Sequence, residues 1–242
     1  AASLFGTTLG FGGMSVFTYG SEEQRRTLLP KIIAGKLRFA LALTEPGAGS
    51  DAGALITRAR RGDGGWIING RKTWISAADQ ADYIVTACRT TTQSEGSKGI
   101  SMLLVPGAAE GIHMTQLEKI GNHGLPSWDI AFENVFVPED GLLGDKGDGF
   151  KHLMSTLQFS RAGQAANAIG QSQRAVDIAV AHATERVQFD RPIGKFQSVA
   201  HRIADMQTRV DQARFVLYHL AWLIDQGARC RKEAAQAKIV AT

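Results

Sequence analysis

Residues 41–83 read LALTEPGAGSDAGALITRARRGDGGWIINGRKTWISAADQADY, and the fold turns on how this stretch is punctuated. A strand ends at Thr44, and Pro46, Gly47 and Gly49 build a turn with acidic Glu45 and Asp51 and the hydroxyl of Ser50 around it. Short β-branched runs then alternate with turn chemistry: LITRAR, GDGG, WII, Asn69-Gly70, KTWIS. Asn-Gly between apolar runs predicts a two-residue hairpin, because both central residues of a type I′ turn take positive φ. That hairpin delivers Trp74, Ile75 and Ser76. An indole can cover one face of a planar ring and a nearby hydroxyl can bond a ring nitrogen, so these are parts for holding an aromatic, phosphorylated cofactor. Taken alone, Trp74 reads as a core residue.

Working outward, DYIVTACRT, GISMLLVP, GIHMTQL and WDIAFENVFV keep the same rhythm and predict a compact antiparallel β domain over residues 37–147. Residues 1–36 read as helical. Ser21-Glu22-Glu23-Gln24 has the capping-box form, Pro30 kinks or ends that helix, and Gly35 finishes it. After Gly149 no proline occurs until Pro192, which predicts one long helix, with Gly163 and Gly170 where a neighbouring helix could approach closely. Phe196, Val199, Ile203, Met206, Val210, Ala213, Leu217, Leu220 and Ile224 alternate spacings of three and four. This is the seam of a helix roughly 45 Å long that needs partner helices. The expected class is α+β: a helical segment, a central antiparallel β-barrel-like domain, and a C-terminal helical bundle over 148–242.

Composition narrows the function classes. The chain has 242 residues, of which 44% are apolar and 21% charged, the balance of a protein with a sizeable core. No apolar run approaches the ~20 residues of a bilayer span. The net charge of +4 is mild and its Lys and Arg are scattered, which argues against nucleic acid and suits a small anionic ligand. Cys88 and Cys230 are too far apart for a CxxC motif and read as packing residues. They fit a reducing compartment, the cytoplasm or a mitochondrial matrix. No histidine falls at HxxxH spacing, so no metal is expected, and solvated or core-satisfied histidines are expected instead. The chain starts at Ala1 rather than Met and ends in helix-prone RKEAAQAKIVAT, as though cut at both ends.

The glycine turn invites a dinucleotide reading. Gly47, Gly49 and Gly53 follow a strand, but the third glycine falls one place late for GxGxxG and no βαβ alternation surrounds it. A Rossmann fold is excluded. Two readings stay open for the turn: an ordinary loop, or backbone amides with Ser50 that meet a pyrophosphate.

At this spacing TEPGAGSD followed by TWIS resembles the signature of the acyl-CoA dehydrogenase family. The resemblance continues through GSEEQRRTLLPKIIAGK before it and through WDIAFENVFVPED, GDKGDGF and ERVQFDRPIGKFQ after it, covering nearly the whole chain in order. It implies a flavoenzyme with FAD bound between subunits of a homotetramer, an acyl-CoA substrate, and an electron-transferring flavoprotein as acceptor. By position, Leu41, Leu43, Thr44 and Ser50 would line the flavin and its diphosphate. Trp74, Ile75 and Ser76 would meet the ring, with Ser76 on its reactive nitrogen. Arg186, Gln188, Phe189 and Gln197 match positions that reach a neighbouring subunit's FAD; for Arg186 a surface salt bridge is the alternative. Ser50, Gln158 and Arg161 would approach the thioester and CoA.

The sequence also departs from the family pattern. The family's usual glutamate base lies downstream of Thr242, and Ser160 occupies the position where some relatives carry it instead, so no catalytic residue is identified in the chain. Gln158 stands where many relatives have aspartate. Three activities remain open: acyl-CoA dehydrogenation to the trans-2-enoyl-CoA, flavin oxidase or hydroxylase chemistry on the same fold, and a non-catalytic FAD-binding subunit.

Overall fold

The structure, a computed structural model, describes residues 6–91 and 93–242; residues 1–5 of the predicted helical segment lie outside them. The chain divides into two compact units, 1–157 and 158–242.

In the first unit a π-helical turn, Thr8–Gly13, runs into helix α1, Met14–Tyr19, and then α2, Glu22–Ile33. The capping box forms as read: Ser21 Oγ accepts from Gln24 N at 3.1 Å, and Gln24 Oε1 accepts from Ser21 N at 2.9 Å. Helix α2 continues three residues past Pro30 to Ile33, so this proline does not end the helix. Val16, Leu28 and Ile32 point from these helices into the core.

The strands are β1 Phe39–Ala42, β2 Arg58–Gly62, β3 Gly65–Ser76, β4 Tyr83–Arg89, β5 Ile100–Pro106, β6 Ile112–Leu117, β7 Ser127–Pro138 and β8 Leu142–Leu143. They form one sheet in the order β6-β7-β3-β2-β4-β5-β8, with β1 alongside β4. The expected order of helical and β segments holds, with two corrections. The sheet is open rather than closed into a barrel, and it is mixed, because β1 and β2 both run parallel to β4. Strands β4 and β5 are buried on both faces with a period of two. Ile84, Cys88, Leu103 and Val105 enter one apolar cluster, while Val85, Ala87, Met102 and Leu104 enter the other, which the N-terminal helices cover. Burial pushes the Cys88 thiol up to about 12, so it stays protonated and packs as read. His152 is also buried, stacked on Tyr19 with ring centroids 3.9 Å apart. Its Nδ1 has no hydrogen-bond partner among the described residues, so this histidine departs from the solvated or core-satisfied state expected.

Asn69-Gly70 is not a turn. The hairpin closes at Asp63-Gly64, where Gly62 pairs with Gly65 and Gly64 takes φ 71°. Strand β3 runs straight through residues 69 and 70, with a register shift against β7 between Ile68 and Gly70. The Asn-Gly signal marks a β-bulge because both partners of a 12-residue strand pair continue past it. Asn69 Nδ2 donates to Asn134 Oδ1 at 3.0 Å, and Asn69 Oδ1 accepts from Asn134 N at 3.0 Å. Gly70, at φ 150°, lies so close to Thr57 that an added Cβ would sit 2.6 Å from Thr57 Oγ1.

Helix α3 spans Gly149–Glu185, 37 residues without a break. In the second unit it is followed by a two-strand hairpin, β9 Val187–Gln188 and β10 Arg191–Pro192, then by α4 Gln197–Asp225 and α5 Arg231–Ala241. The seam finds its partners: Val210 and Ala213 pack with Ile169 and Val176, and Leu220 packs with Ala165, Cys230, Ala234 and Ala237. Gly163 and Gly170 face open space in the protomer, since nothing lies within 4 Å of a Cβ built on either. Close helix approach is therefore not what they serve within the chain. No helix of the described residues is long and apolar enough to cross a membrane.

Candidate functional site

Beyond Ala42 the chain leaves β1 and turns. Glu45 and Ala48 exchange backbone hydrogen bonds, Glu45 N to Ala48 O and Ala48 N to Glu45 O, each 3.1 Å. That turn meets the end of β3, where Thr73 N donates to Thr44 O at 2.9 Å. A second register shift, between Lys72 and Ile75, lets Thr73 and Trp74 escape the pleat. Trp74 takes φ 61° and Ala77 φ 53°, left-handed conformations that cost a non-glycine residue on the order of 1–2 kcal/mol each. The consequence is an indole that is 57% exposed. Trp74 is thus not the core residue it looks like in isolation.

Trp74 and Thr44 line one cavity of about 540 Å³ together with Glu45, Pro46, Gly49, Arg71, Thr73 and Asp129. Arg71 Nε meets Asp129 Oδ1 at 2.6 Å across its rim, and that bond raises the Arg71 guanidinium further above its ordinary value. A second cavity of about 550 Å³ opens at Ser50, Asp51 and Gly53, with Arg89, Ser97, Phe150 and Met154. Trp74 and Thr44 therefore share a wall, while Ser50 serves the neighbouring space. Leu41 and Leu43 are half-buried against the helix-covered core. Ile75 is buried in the other core cluster, so only its backbone is available at the site. Ser76 is half-buried at the end of β3. The hydroxyls of Thr44, Ser50 and Ser76 make no hydrogen bond among the described residues.

Beneath the turn lies a polar network that the sequence did not announce. Lys72 is fully buried and donates from Nζ to Leu43 O at 3.0 Å and to Glu45 Oε1 at 2.8 Å. Glu45 also accepts from Ile56 N at 2.7 Å and Thr57 N at 2.9 Å. Burial alone would raise the Glu45 carboxyl, but the Lys72 charge and the backbone amide of Ile56 outweigh it and hold it below its ordinary value. Burial pushes the Lys72 ammonium down, against the opposing pull of Glu45. The guanidinium of Arg89, 2% exposed, donates to Leu55 O at 3.2 Å, Gly53 O at 2.8 Å and Gly96 O at 2.5 Å. Lys72, Arg71 and Arg89 were missed because their partners Glu45, Asp129, Leu55 and Gly53 are distant in sequence, and a charged side chain with no visible partner reads as solvated.

The remaining candidates belong to the second unit. Arg186 follows α3 directly, and its N donates to His182 O at 2.9 Å; it makes no ion pair among the described residues. Gln188 and Arg191 close a hairpin whose two loop residues, Phe189 and Asp190, take φ 53° and 58°. That is the type I′ geometry, here without the usual Asn or Gly. Phe189 is 87% exposed and sits edge-on to Phe196, 6.1 Å between centroids, while Arg191 covers the Phe196 ring at 4.2 Å. Gln197 opens α4 and is exposed. Gln158 Oε1 faces Cys230 Sγ at 3.6 Å, and Arg161 is half-buried.

Comparison with known proteins agrees along the chain. Residues 40–135 match the family model of the acyl-CoA dehydrogenase middle domain, and 147–242 that of the acyl-CoA dehydrogenase C-terminal domain. A 3-(aryl)acrylate reductase of Clostridium sporogenes is 42% identical over 95% of this chain and 61% of its own length. The caffeyl-CoA reductase-Etf complex subunit CarC of Acetobacterium woodii is 42% identical over 92% of this chain and 59% of its length. The solved butyryl-CoA dehydrogenase of Megasphaera elsdenii superposes with a TM-score of 0.94 at 33% identity, covering 99% of this chain and 63% of that one. The chain spans about three fifths of the length of the curated relatives it matches.

Proposed function

Because the chain belongs to the acyl-CoA dehydrogenase family, we propose that its parent protein binds FAD and interconverts an acyl-CoA thioester and its trans-2-enoyl-CoA. In the dehydrogenating direction it passes electrons to an electron-transferring flavoprotein. The observation that carries this reading is Trp74: an exposed indole, held out by a strained left-handed backbone at the wall of an open cavity. Strain of this kind persists where the surroundings enforce a functional geometry.

The residues present suit a flavin. The cavity offers a flat aromatic wall and, at Thr44, a hydroxyl with no partner among the described residues, with another such hydroxyl at Ser76 two residues past Trp74. FAD, when bound, supplies the hydride acceptor. Trp74 covers one face of the ring and keeps water from it. Thr44 and Ser76 orient the ring through their hydroxyls, and Leu41, Leu43 and the backbone of Ile75 shape its bed. Ser50 stands beside the neighbouring cavity, where it meets the thioester, and Gln158 and Arg161 serve the CoA portion. In a homotetramer, the strained Phe189-Asp190 arm presents Arg186, Gln188 and Phe189, with Gln197, to the adenosine part of a neighbouring subunit's FAD. Hydrogen bonds to the thioester carbonyl acidify its α C–H, and a carboxylate takes that proton. Neither carboxylate of the first cavity is free for this, since Glu45 is bound by Lys72 and two amides and Asp129 by Arg71.

The reductive direction has support of its own, because two similar relatives are an arylacrylate reductase and a caffeyl-CoA reductase subunit. We extend the substrate class accordingly to aryl-substituted as well as alkyl acyl-CoA and enoyl-CoA pairs. Anaerobic mixing of the full-length flavoprotein with an acyl-CoA panel tests the proposal. Bleaching that persists until a flavoprotein acceptor is added supports dehydrogenation. Reoxidation of the pre-reduced protein by an arylacryloyl-CoA supports the reductive direction. Rapid recovery in air with peroxide release points to an oxidase instead, and no bleaching in either arm points to a non-catalytic subunit.

A further inference from the structure

The buried pair Lys72–Glu45 lies at the cavity wall and ties β3 to the exit of β1 and the approach to β2. Lys72 belongs to β3, two residues before Trp74, and holds Leu43 O at the exit of β1. Glu45 holds Ile56 N and Thr57 N at the approach to β2. The 13-residue excursion from Thr44 to Ile56, which carries Pro46, Gly49 and Ser50, therefore starts and ends on one ion pair. Such a pair is a poor device for stability alone, since desolvating two charges offsets most of their attraction and an apolar pair of similar size often does as well. What it does supply is fixed direction, three hydrogen bonds to carbonyl or amide groups at set angles. The ammonium on Leu43 O also polarises the peptide group whose N–H belongs to Thr44, the cavity-lining residue.

We infer that Lys72, acting through Glu45 and Leu43, is a positioning residue that sets Thr44 and the turn against Trp74 and so governs how tightly, and in what electronic environment, the flavin is held. This rests on the FAD reading above. It assigns to Lys72 no contact with the cofactor and no part in proton transfer.

The test uses the full-length protein with Lys72→Met, and with the double variants Lys72→Met/Glu45→Gln and Lys72→Gln/Glu45→Gln, which leave no unpaired charge. Thermal unfolding of the apoprotein, FAD titration and the visible spectrum of bound flavin are read together. The double variants should recover most of the stability lost by Lys72→Met yet keep FAD affinity weakened on the order of tenfold, the size of one charge-assisted hydrogen bond, with a shifted flavin band. Double variants with wild-type affinity and spectrum overturn the inference, because the pair would then serve folding only. Hydrogen exchange on the wild-type protein gives an independent check: FAD should slow exchange at the amides of Ile56 and Thr57, and unchanged exchange there overturns the coupling. A wild-type protein that takes up no FAD instead defeats the functional reading itself, a separate result visible before any variant is made.

Discussion

Replacing Trp74 by glycine and by alanine separates its strain from its role. Both substitutions delete the indole. With 57% of the residue exposed, the covered remainder is roughly 90 Å² of a side chain of about 200 Å², worth about 2 kcal/mol in either variant. The two differ only in backbone. At an ordinary strand position glycine is worse than alanine by about 0.5–1 kcal/mol. At φ 61°, however, alanine keeps the Cβ clash of about 1–2 kcal/mol and glycine removes it. The clash outweighs the entropy, so Trp74→Gly should be the more stable by about 0.5–1 kcal/mol, an inversion of the usual order. Urea unfolding of the two apoproteins, followed by circular dichroism, measures that difference directly. In FAD titration both should bind alike and weakly, by about 2 kcal/mol or roughly thirtyfold, since each has lost the ring's cover. An alanine variant at least as stable as the glycine one would refute the left-handed backbone. Affinity within twofold of wild type would refute the indole's place over the ring.

Ser76→Ala should shift the flavin absorption bands and slow substrate reduction, by the loss of one hydrogen-bond partner; stopped-flow traces and spectra that match wild type would remove Ser76 from the site. Arg186→Ala should lower the flavin-to-protein ratio of the purified oligomer, because a cation near the cofactor's anionic portion is gone, and an unchanged ratio would count against the arm's reach across the interface. Gly70→Ala should cost about 1–3 kcal/mol of stability, since its methyl would meet Thr57 in a bulge at φ 150°; an unshifted melting curve would contradict the bulge. The Glu45 carboxyl is held below its ordinary 4.5, so the stability it contributes is complete above that pH and drains away as acid carries the protein through the depressed folded value. Acid titration of unfolding should therefore be shallower in Glu45→Gln, and parallel titration curves would place the carboxyl's energetics elsewhere.

Local chemistry made much of this molecule legible. Ser21 and Gln24 announce a cap because both halves of the reciprocal bond lie within four residues. The seam from Phe196 to Ile224 announces a helix because its period repeats over many turns. Asn69-Gly70 misleads for a physical reason: the same dipeptide serves a type I′ turn and a bulge, and the choice rests with β7, which runs 12 residues beside β3 and is far away in sequence. Lys72 was hidden by a distant partner as well. Alternation from the buried Trp66 and Ile68 puts Lys72 on the same face, but a charged residue there is read as solvated until its partner Glu45, 27 positions away, is known.

The two places where the backbone is most strained explain why the candidate site was only partly legible in the sequence. Trp74 and Ala77 flank Ile75 and Ser76, and Phe189 and Asp190 form the tip of the exposed arm; all four strained residues are non-glycine and take φ between 53° and 61°. Propensity would put glycine or asparagine at each, and the indole and the benzyl ring both stand largely in the open. A side chain kept at a cost to the fold and turned outward leaves most of its surface open to something other than this chain. Position 74 faces a cavity and position 189 faces solvent, which is the division expected if one ring bears on a cofactor from within and the other reaches toward a second subunit.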